Sequence, residues 1–410
     1  MNRDKTADFV IIGGGIIGNA IACYLSNKIR NSTTVIDQNH LCTGSTSFSA
    51  SLVTKLRSQV NLIPLIEETH KSIERFKEKL PDPVGEKRIG CIHVSVSDST
   101  DIQLSNLYRI ADLFKINAEF LQPNQVKKIV PWINEKPLRK ALFAPDEFYI
   151  DGYLLGMAYA REAKLNGTRY LLNSEVDEIV TESGRITGVK IRGNTIFSPV
   201  VIVAAGIWSN MLLEKLNISL PVAPVRSLYF MSGINIEKFP ANHPICIMPD
   251  ANAYTRPDNG SLLFGIRDNH SPFYNPHDIS KQLHLQNFIT PEEKWDILIN
   301  ETIVLQKLIE NSGELEIAHT VAAPCAYTHD SNPVIGGIES IKGLYVATGC
   351  NGGGIAASGG FGRALAELVL DESPFTDIGP FYPHRLALES PLSEKFMNSC
   401  SLARSNKKSG

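Results

Sequence analysis

The segment Asp8-Phe9-Val10-Ile11-Ile12-Gly13-Gly14-Gly15-Ile16-Ile17-Gly18 constrains this chain more than any other, because an apolar strand-like run delivers directly into a glycine cluster and then into helical sequence. Gly13 permits a tight turn, Gly15 lets the backbone approach an anion, and Gly18 lets helix and strand pack closely, while the helix N-terminus adds unpaired N–H groups. A G-x-G-x-x-G pattern alone is weak evidence, so its context decides. Val10-Ile11-Ile12 precede it, a helix with the buried stripe Ile17, Ile21, Tyr24 and Leu25 follows, and a second β-like run, Thr33-Thr34-Val35-Ile36, ends in Asp37. Asp37 lies about 20 residues past the last glycine, where an acid accepts hydrogen bonds from a ribose 2′-OH and repels a 2′-phosphate. Gly13, Gly15, Ile16, Ile17, Gly18 and Asp37 are therefore read as the cradle of an ADP-containing dinucleotide, FAD or NAD.

A chain of 410 residues is too long for one compact core and suits two domains that share an interface. Its formal charge of −3 supplies no basic face, which argues against nucleic acid as a partner. The seven cysteines are scattered and include no C-x-x-C pair, so neither a disulfide framework nor a metal site is expected. The apolar N-terminal stretch is glycine-dense and follows Asp8, which fits the nucleotide turn better than a signal peptide. No apolar run approaches a membrane span. A cytoplasmic protein is the expectation.

Downstream of Asp37, Leu41 to Ser51 is a run of small and hydroxylated residues that reads as a loop closing on the ligand, with Gly44, Ser45 and Thr46 as contacts. Residues 64–80 read as a helix through Ile66, Ile73, Phe76 and Leu80. Residues 88–96 alternate as a half-buried strand, which places His93 with the solvated positions. Pro199 to Trp208 reads as a short, almost wholly apolar strand suited to the middle of a parallel sheet, ending in a small-residue turn beside an aromatic, with Ala205, Gly206 and Trp208 as further contacts. Several β-like runs between Leu228 and Ile266, with a hairpin signal at Asp258-Asn259-Gly260, predict a mostly antiparallel second domain. Thr290-Pro291-Glu292-Glu293 then opens a helix with the expected stripe Trp295, Leu298, Thr302, Leu305 and Leu308. Gly343 to Gly349 forms a last strand that enters Cys350-Asn351-Gly352-Gly353-Gly354 and a helix, a second glycine-rich junction that offers N–H groups to an anion or a polarised carbonyl. The serine- and lysine-rich tail is expected to be flexible.

With both junctions placed, the chain resembles the D-amino-acid-oxidase-like superfamily of flavoproteins, which includes glycine oxidase, sarcosine oxidase and dehydrogenase, and dimethylglycine dehydrogenase. The resemblance rests on the N-terminal fingerprint with Asp37, on Val200 to Ser209, on Asp330, Pro333, Ile335 and Gly336, and on Gly343 through Arg363. It implies FAD, oxidation of a C–N bond by hydride transfer to flavin N5, and an imine product that hydrolyses. It also implies a fold of class α/β plus α+β: a Rossmann-like FAD-binding domain (1–85, 145–220 and 320–385) and a mostly antiparallel substrate domain (86–144 and 221–319), with 386–410 as the tail. Further FAD contacts carried over are the backbone at Val176 and the late junction at Gly349, Asn351, Gly352, Gly353, Gly354 and Ile355.

The departures bear on attachment and substrate. Phe48 stands where dimethylglycine dehydrogenases have the histidine that bonds to flavin, so that linkage is excluded and non-covalent FAD is expected, with Cys325 as the alternative attachment point. Leu263 stands at the position of the oxygen-activating lysine of monomeric oxidases, which points to a dehydrogenase using another electron acceptor, and Ala356 replaces a carboxylate-binding lysine. A carboxylate substrate then needs another cation. Lys55, Arg57, Arg226 and Arg256 are the candidates, with Arg57 and Arg256 preferred and Tyr254, two residues from Arg256, sharing its strand face. Two rival readings stand beside amine oxidation. One is oxidation of a 2-hydroxy acid or alcohol, with His319 or His329 as general base; the other is an FAD-binding subunit of a hetero-complex whose partner supplies the chemistry.

Overall fold

The computed structural model describes residues 5–81, 84–284, 288–385 and 390–407. Phe9–Ile12 is fully buried and lies between two equally buried strands, Thr33–Ile36 and Val200–Val203, both parallel to it, with Phe9 level with Thr33 and Val200. Its residues are apolar on both sides because both faces are covered. The sheet runs, in spatial order, Val334–Gly337, Leu344–Thr348, Val200–Val203, Phe9–Ile12, Thr33–Ile36 and Arg169–Leu171, and only the Val334–Gly337 strand is antiparallel to its neighbour. One face packs on the helices Ile16–Lys28, Ile63–Lys79, Gly152–Leu165 and Gly354–Val369. The other packs on a small antiparallel sheet, Glu178–Glu182, Arg185–Ile191 and Asn194–Phe197, through Val10, Ile12, Ile179, Val189 and Val201.

A second sheet of eight strands builds the other body of the molecule, in the order Ile317–Tyr327, Ala223–Ser232, Ser261–Ile266, Ala253–Asp258, Ile245–Met248, Cys91–Ser95, Lys140–Ala144 and Glu119–Leu121. It is antiparallel except where Ile245–Met248 meets Cys91–Ser95. Its core is centred on Trp132, Phe230, Phe239 and Phe264. The strand Ile317–Tyr327 stays in this sheet to its end, so the sheet reaches beyond the boundary expected at 320. No helix among the described residues is long and apolar enough to cross a membrane.

Three local expectations are corrected. His93 is fully buried, because Cys91–Ser95 is an interior strand covered on both faces and alternation there does not mark solvent. The Thr290/Glu293 capping box forms, but the helix stops at Asp296 and a π-helical turn, Ile297–Glu301, intervenes before Ile303–Leu308. The wider turn rotates the stripe, leaving Trp295 57 % exposed under the Lys294 ammonium while Thr302, Leu305 and Leu308 are buried. The tail is not uniformly flexible: Glu394–Ser405 is a helix capped by Ser393, whose hydroxyl accepts from the Phe396 N–H. Its Met397 and Cys400 pack on Ala223, Val225 and Tyr327. Residues 386–389 and 408–410 lie outside the described residues.

Candidate active site

Both glycine junctions open onto one continuous cleft between the two sheets. At the first junction Gly13 has φ +111°, and a Cβ there or on Gly18 would fall inside contact with Ala204 O and Gly13 O respectively. A Cβ on Gly15 would meet only Thr46 Oγ1, at 3.5 Å. The protein's own packing therefore demands glycine at 13 and 18 but not at 15. Gly15 keeps open a space that belongs to the cleft, as a backbone approaching a pyrophosphate requires. Gly13, Gly15, Ile16 and Ile17 line the cleft, and the Ile16 N–H donates to Thr46 Oγ1 at 3.2 Å, which ties the small-residue loop to the helix N-terminus.

Asp37 also lines the cleft. Its Oδ2 accepts from the Gly14 N–H at 2.6 Å and its Oδ1 from the Asn39 N–H at 2.7 Å. Burial pushes the carboxyl up and the two amides pull it down. Each carboxylate oxygen has a second lone pair left for a ribose hydroxyl. The loop contributes Gly44, Ser45 and Thr46, and Ser45 Oγ donates to Pro324 O at 2.9 Å, bridging the two sheets. Val176, Ala205, Gly206 and Trp208 line the same cleft.

At the second junction Gly352, Gly353, Gly354 and Ile355 reach the wall. Gly349 and Asn351 stand behind it: Asn351 Oδ1 accepts from the Thr328 N–H at 2.8 Å and Nδ2 donates to Gly349 O at 2.7 Å, which fixes the turn. Gly18 is likewise a packing residue. A cleft lined by two amide-rich helix starts, an acid at the close of the second strand and a bare backbone at Gly15 fits FAD.

The preferred substrate cations separate. Arg57 is 2 % exposed, lines the cleft, and donates through Nη2 to Thr54 O at 2.5 Å, while its Nε has no partner among the described residues. Burial draws its pKa down to about 10, against the pull of the neighbouring Glu147 carboxylate, so it stays charged. Arg256 does not reach the wall. Its Nε donates to Ala50 O at 2.9 Å, its Nη1 pairs with Asp258, and its guanidinium stacks over Tyr149. Tyr254 does line the cleft. It lies opposite Gly265, where a Cβ would fall within its ring, so the missing side chain is what lets the ring lie across the strand. Lys55 Nζ is drawn to Glu67 and Arg226 to Asp268, both off the wall.

Four cations at the wall escaped sequence reasoning: Lys281, which is exposed and paired with Glu175, and Arg267, Arg404 and Lys407. Arg267 follows the strand Ser261–Ile266, is 7 % exposed, and has no partner for Nη1 among the described residues. Leu263, by contrast, is buried off the wall, so this strand brings its positive charge to the cleft through Arg267. Arg404 and Lys407 come from the C-terminal segment. The signal was present in Ser393 as an N-cap and in Phe396, Met397 and Cys400 at helical spacing. His319 and His329 are exposed and off the wall.

Residues 8–368 match the model of a family described as FAD dependent oxidoreductase (DAO). The chain belongs to this family. The FAD-dependent oxidoreductase is 22% identical over 393 residues to dimethylglycine dehydrogenase of Mus musculus, covering 92% of this chain and 44% of that protein. It is 24% identical over 375 residues to the pyruvate dehydrogenase phosphatase regulatory subunit of the same organism, covering 91% of this chain and 42% of that one. The chain thus spans less than half the length of these curated relatives. The solved structure of L-proline dehydrogenase from P. horikoshii shares the fold with a TM-score of 0.82 at 23% identity, over 93% of this chain and 98% of that one. As a member of this family the oxidoreductase uses FAD, the group that its two glycine junctions fit.

Proposed function

We propose that this oxidoreductase oxidises the C–N bond of an amine or amino acid that carries a carboxylate, giving an imine that hydrolyses. One observation carries the reading: Arg57 and Arg267, both buried and each with an N–H unpartnered among the described residues, face the same cleft as Tyr254. A buried guanidinium left without a hydrogen-bond acceptor is costly, and a planar fork is matched by a carboxylate. The names of relatives support the amine: dimethylglycine dehydrogenase and L-proline dehydrogenase both act on amino acids. FAD, when bound, supplies the two-electron acceptor. The chain's own part is to hold the carboxylate, to orient the amine beside the Tyr254 ring, and to exclude water between the sheets. The hydroxy-acid reading needs a histidine base. The only histidine that lines the cleft among the described residues is His277, which is exposed and paired with Glu214 at 2.9 Å.

Non-covalent FAD is supported by Phe48 at the wall and by Cys325, a half-buried thiol at the wall that desolvation pushes up and makes a poor source of thiolate. Flavin released on denaturation would accord with this. The experiment that tests the function is anaerobic mixing with a panel of amines, amino acids and hydroxy acids. Bleaching by amino acids and not by hydroxy acids is the expected result, and bleaching by hydroxy acids alone would overturn the reading. A dehydrogenase that uses an acceptor other than oxygen is the reading that Leu263 supports, and the acceptor is tested directly. Reoxidation by dissolved oxygen at turnover rate identifies an oxidase, and reoxidation by a dye alone a dehydrogenase. The regulatory-subunit relative supports a second reading, a chain that works within a hetero-complex. Bleaching of the purified chain by an amine without a second protein would count against it. Seven unpaired cysteines support a reducing, cytoplasmic setting.

A further inference from the structure

We propose that the C-terminal segment completes a second anion subsite, so that the substrate is an amine bearing two carboxylates: Arg57 and Arg267 take one, and Lys407 with Arg404 takes the other. This rests on the amine-oxidation reading and goes beyond it in naming the substrate class. The four cations come from three stretches of chain and all line the cleft. Arg57 Nη1 lies 3.8 Å from where a Cβ on Gly353 would stand, and Lys407 Nζ donates to Asn351 O at 3.1 Å, so both approach the late glycine turn. Arg404 Nη2 donates to Ile266 O at 2.9 Å, which sets it beside Arg267, and Lys407 follows Arg404 by about one helical turn.

The charges do not balance within the protein. Arg404 Nη1 pairs with Asp268 at 2.6 Å and also donates to Ser271 Oγ, but Asp268 is shared with Arg226. Glu293 reaches Arg226 at 3.4 Å from a half-exposed position, and Glu147 lies behind Arg57 with its oxygens occupied by the Lys55 and Leu56 amides. Among the described residues five cations, Arg57, Arg226, Arg267, Arg404 and Lys407, thus face three carboxylates, two fewer than the positive charges when all five are protonated. Desolvation and the three arginines draw the pKa of Lys407 well below the ordinary range, so a proton on it is held weakly while the cleft offers it no anion. One carboxylate in the cleft answers Arg267. A second beside Lys407 draws its pKa back up, any proton gained coming from solvent, and is held by it. Tyr229, Tyr254 and Tyr327 also line the cleft and offer hydroxyls rather than further acids.

The test uses the full-length flavoprotein and non-reducing acids. Acetate and propionate are compared with malonate and succinate at constant ionic strength, with the flavin absorption spectrum as readout. The dicarboxylates are expected to bind about tenfold tighter or more, the worth of one added charge-assisted hydrogen bond, and to take up a proton that calorimetry in two buffers detects. In Lys407→Met that preference and the proton uptake are both expected to fall away. Equal affinity for the two classes in the wild-type protein overturns the proposal, and so does a preference that survives Lys407→Met. The wild-type comparison decides the matter even if the variant fails to fold. Bleaching by amino monocarboxylates as readily as by amino dicarboxylates would sink this inference and leave the amine reading standing. Tight dicarboxylate binding with no amine able to bleach the flavin would sink the amine reading and leave the subsite.

Discussion

A Cβ added at Gly15 and one added at Gly18 do different things to this chain, although the two glycines belong to one motif. The Gly18 position is filled by the protein, so Gly18→Ala forces the helix start away from the Gly13 carbonyl, at a cost on the order of 1–3 kcal/mol. At Gly15 the obstacle is the ligand. Gly15→Val is expected to fold with a melting temperature near that of the apo wild type and to take up no FAD, which absorbance at 450 nm after gel filtration would check. Arg267 makes the same separation in the opposite sense. Its guanidinium is buried with Nη1 unpartnered among the described residues, and burial draws its pKa down. Arg267→Met should therefore leave the ligand-free protein equally or more stable. The same change should raise KM for a carboxylate substrate by about 30- to 150-fold, the order for losing about 2–3 kcal/mol of charge-assisted hydrogen bonding. A loss of both stability and affinity would show Arg267 to be an ordinary structural cation.

The strand Cys91–Ser95 carries a buried titration. His93 packs between sheet neighbours with neither ring nitrogen bonded among the described residues, and burial, with Arg267 and Arg57 nearby, draws its pKa down to about 4. A folded value below the unfolded one of about 6.5 means that the unfolded chain binds the extra proton. The stability that this neutral imidazole allows is complete above about pH 6.5 and falls away as pH drops toward 4, by about 2 kcal/mol at pH 5. Urea denaturation at pH 7 and pH 5 should show a smaller difference in His93→Leu than in the wild type, and an unchanged difference would refute the assignment. The C-terminal helix permits a second test of this kind. Ending the chain at residue 389 uncovers Ala223, Val225 and Tyr327 and takes Arg404 from Asp268, so an early, broadened melting transition is expected. These two elements also show what sequence reading reaches. The glycine junctions were legible because backbone chemistry admits few alternatives there, and Tyr254 because strand parity is rigid. Arg256 had the right parity, but Ala50 O and Asp258 draw its side chain elsewhere, which no spacing reveals. His93 misled because alternation marks solvent only in a half-covered sheet. Arg404 and Lys407 were hidden because serine- and lysine-rich composition outweighed a short helical pattern that tertiary contact stabilises.

The cleft belongs to neither body of the molecule alone, since one wall carries Gly13, Asp37 and Gly353 and the other Tyr229, Tyr254 and Arg267. A ligand that binds only when both walls are in place stabilises both, and by the same free energy: about 2.7 kcal/mol at a free concentration a hundredfold above its Kd. Two domains that melted independently would pass this on to one of them only. Trp132 separates the cases, because it is buried in the core of the eight-stranded sheet and lies away from the cleft, whereas Trp208 lines the cleft and Trp295 is exposed. In a Trp208→Phe, Trp295→Phe variant, Trp132 fluorescence reports the second body alone. Added FAD is expected to raise its thermal midpoint by several degrees and in step with the far-ultraviolet signal of the whole chain. A Trp132 midpoint that stays fixed while the parallel sheet gains stability would mean that the second sheet does not share in gripping the cofactor, and that the substrate cations on it are set against FAD only after binding.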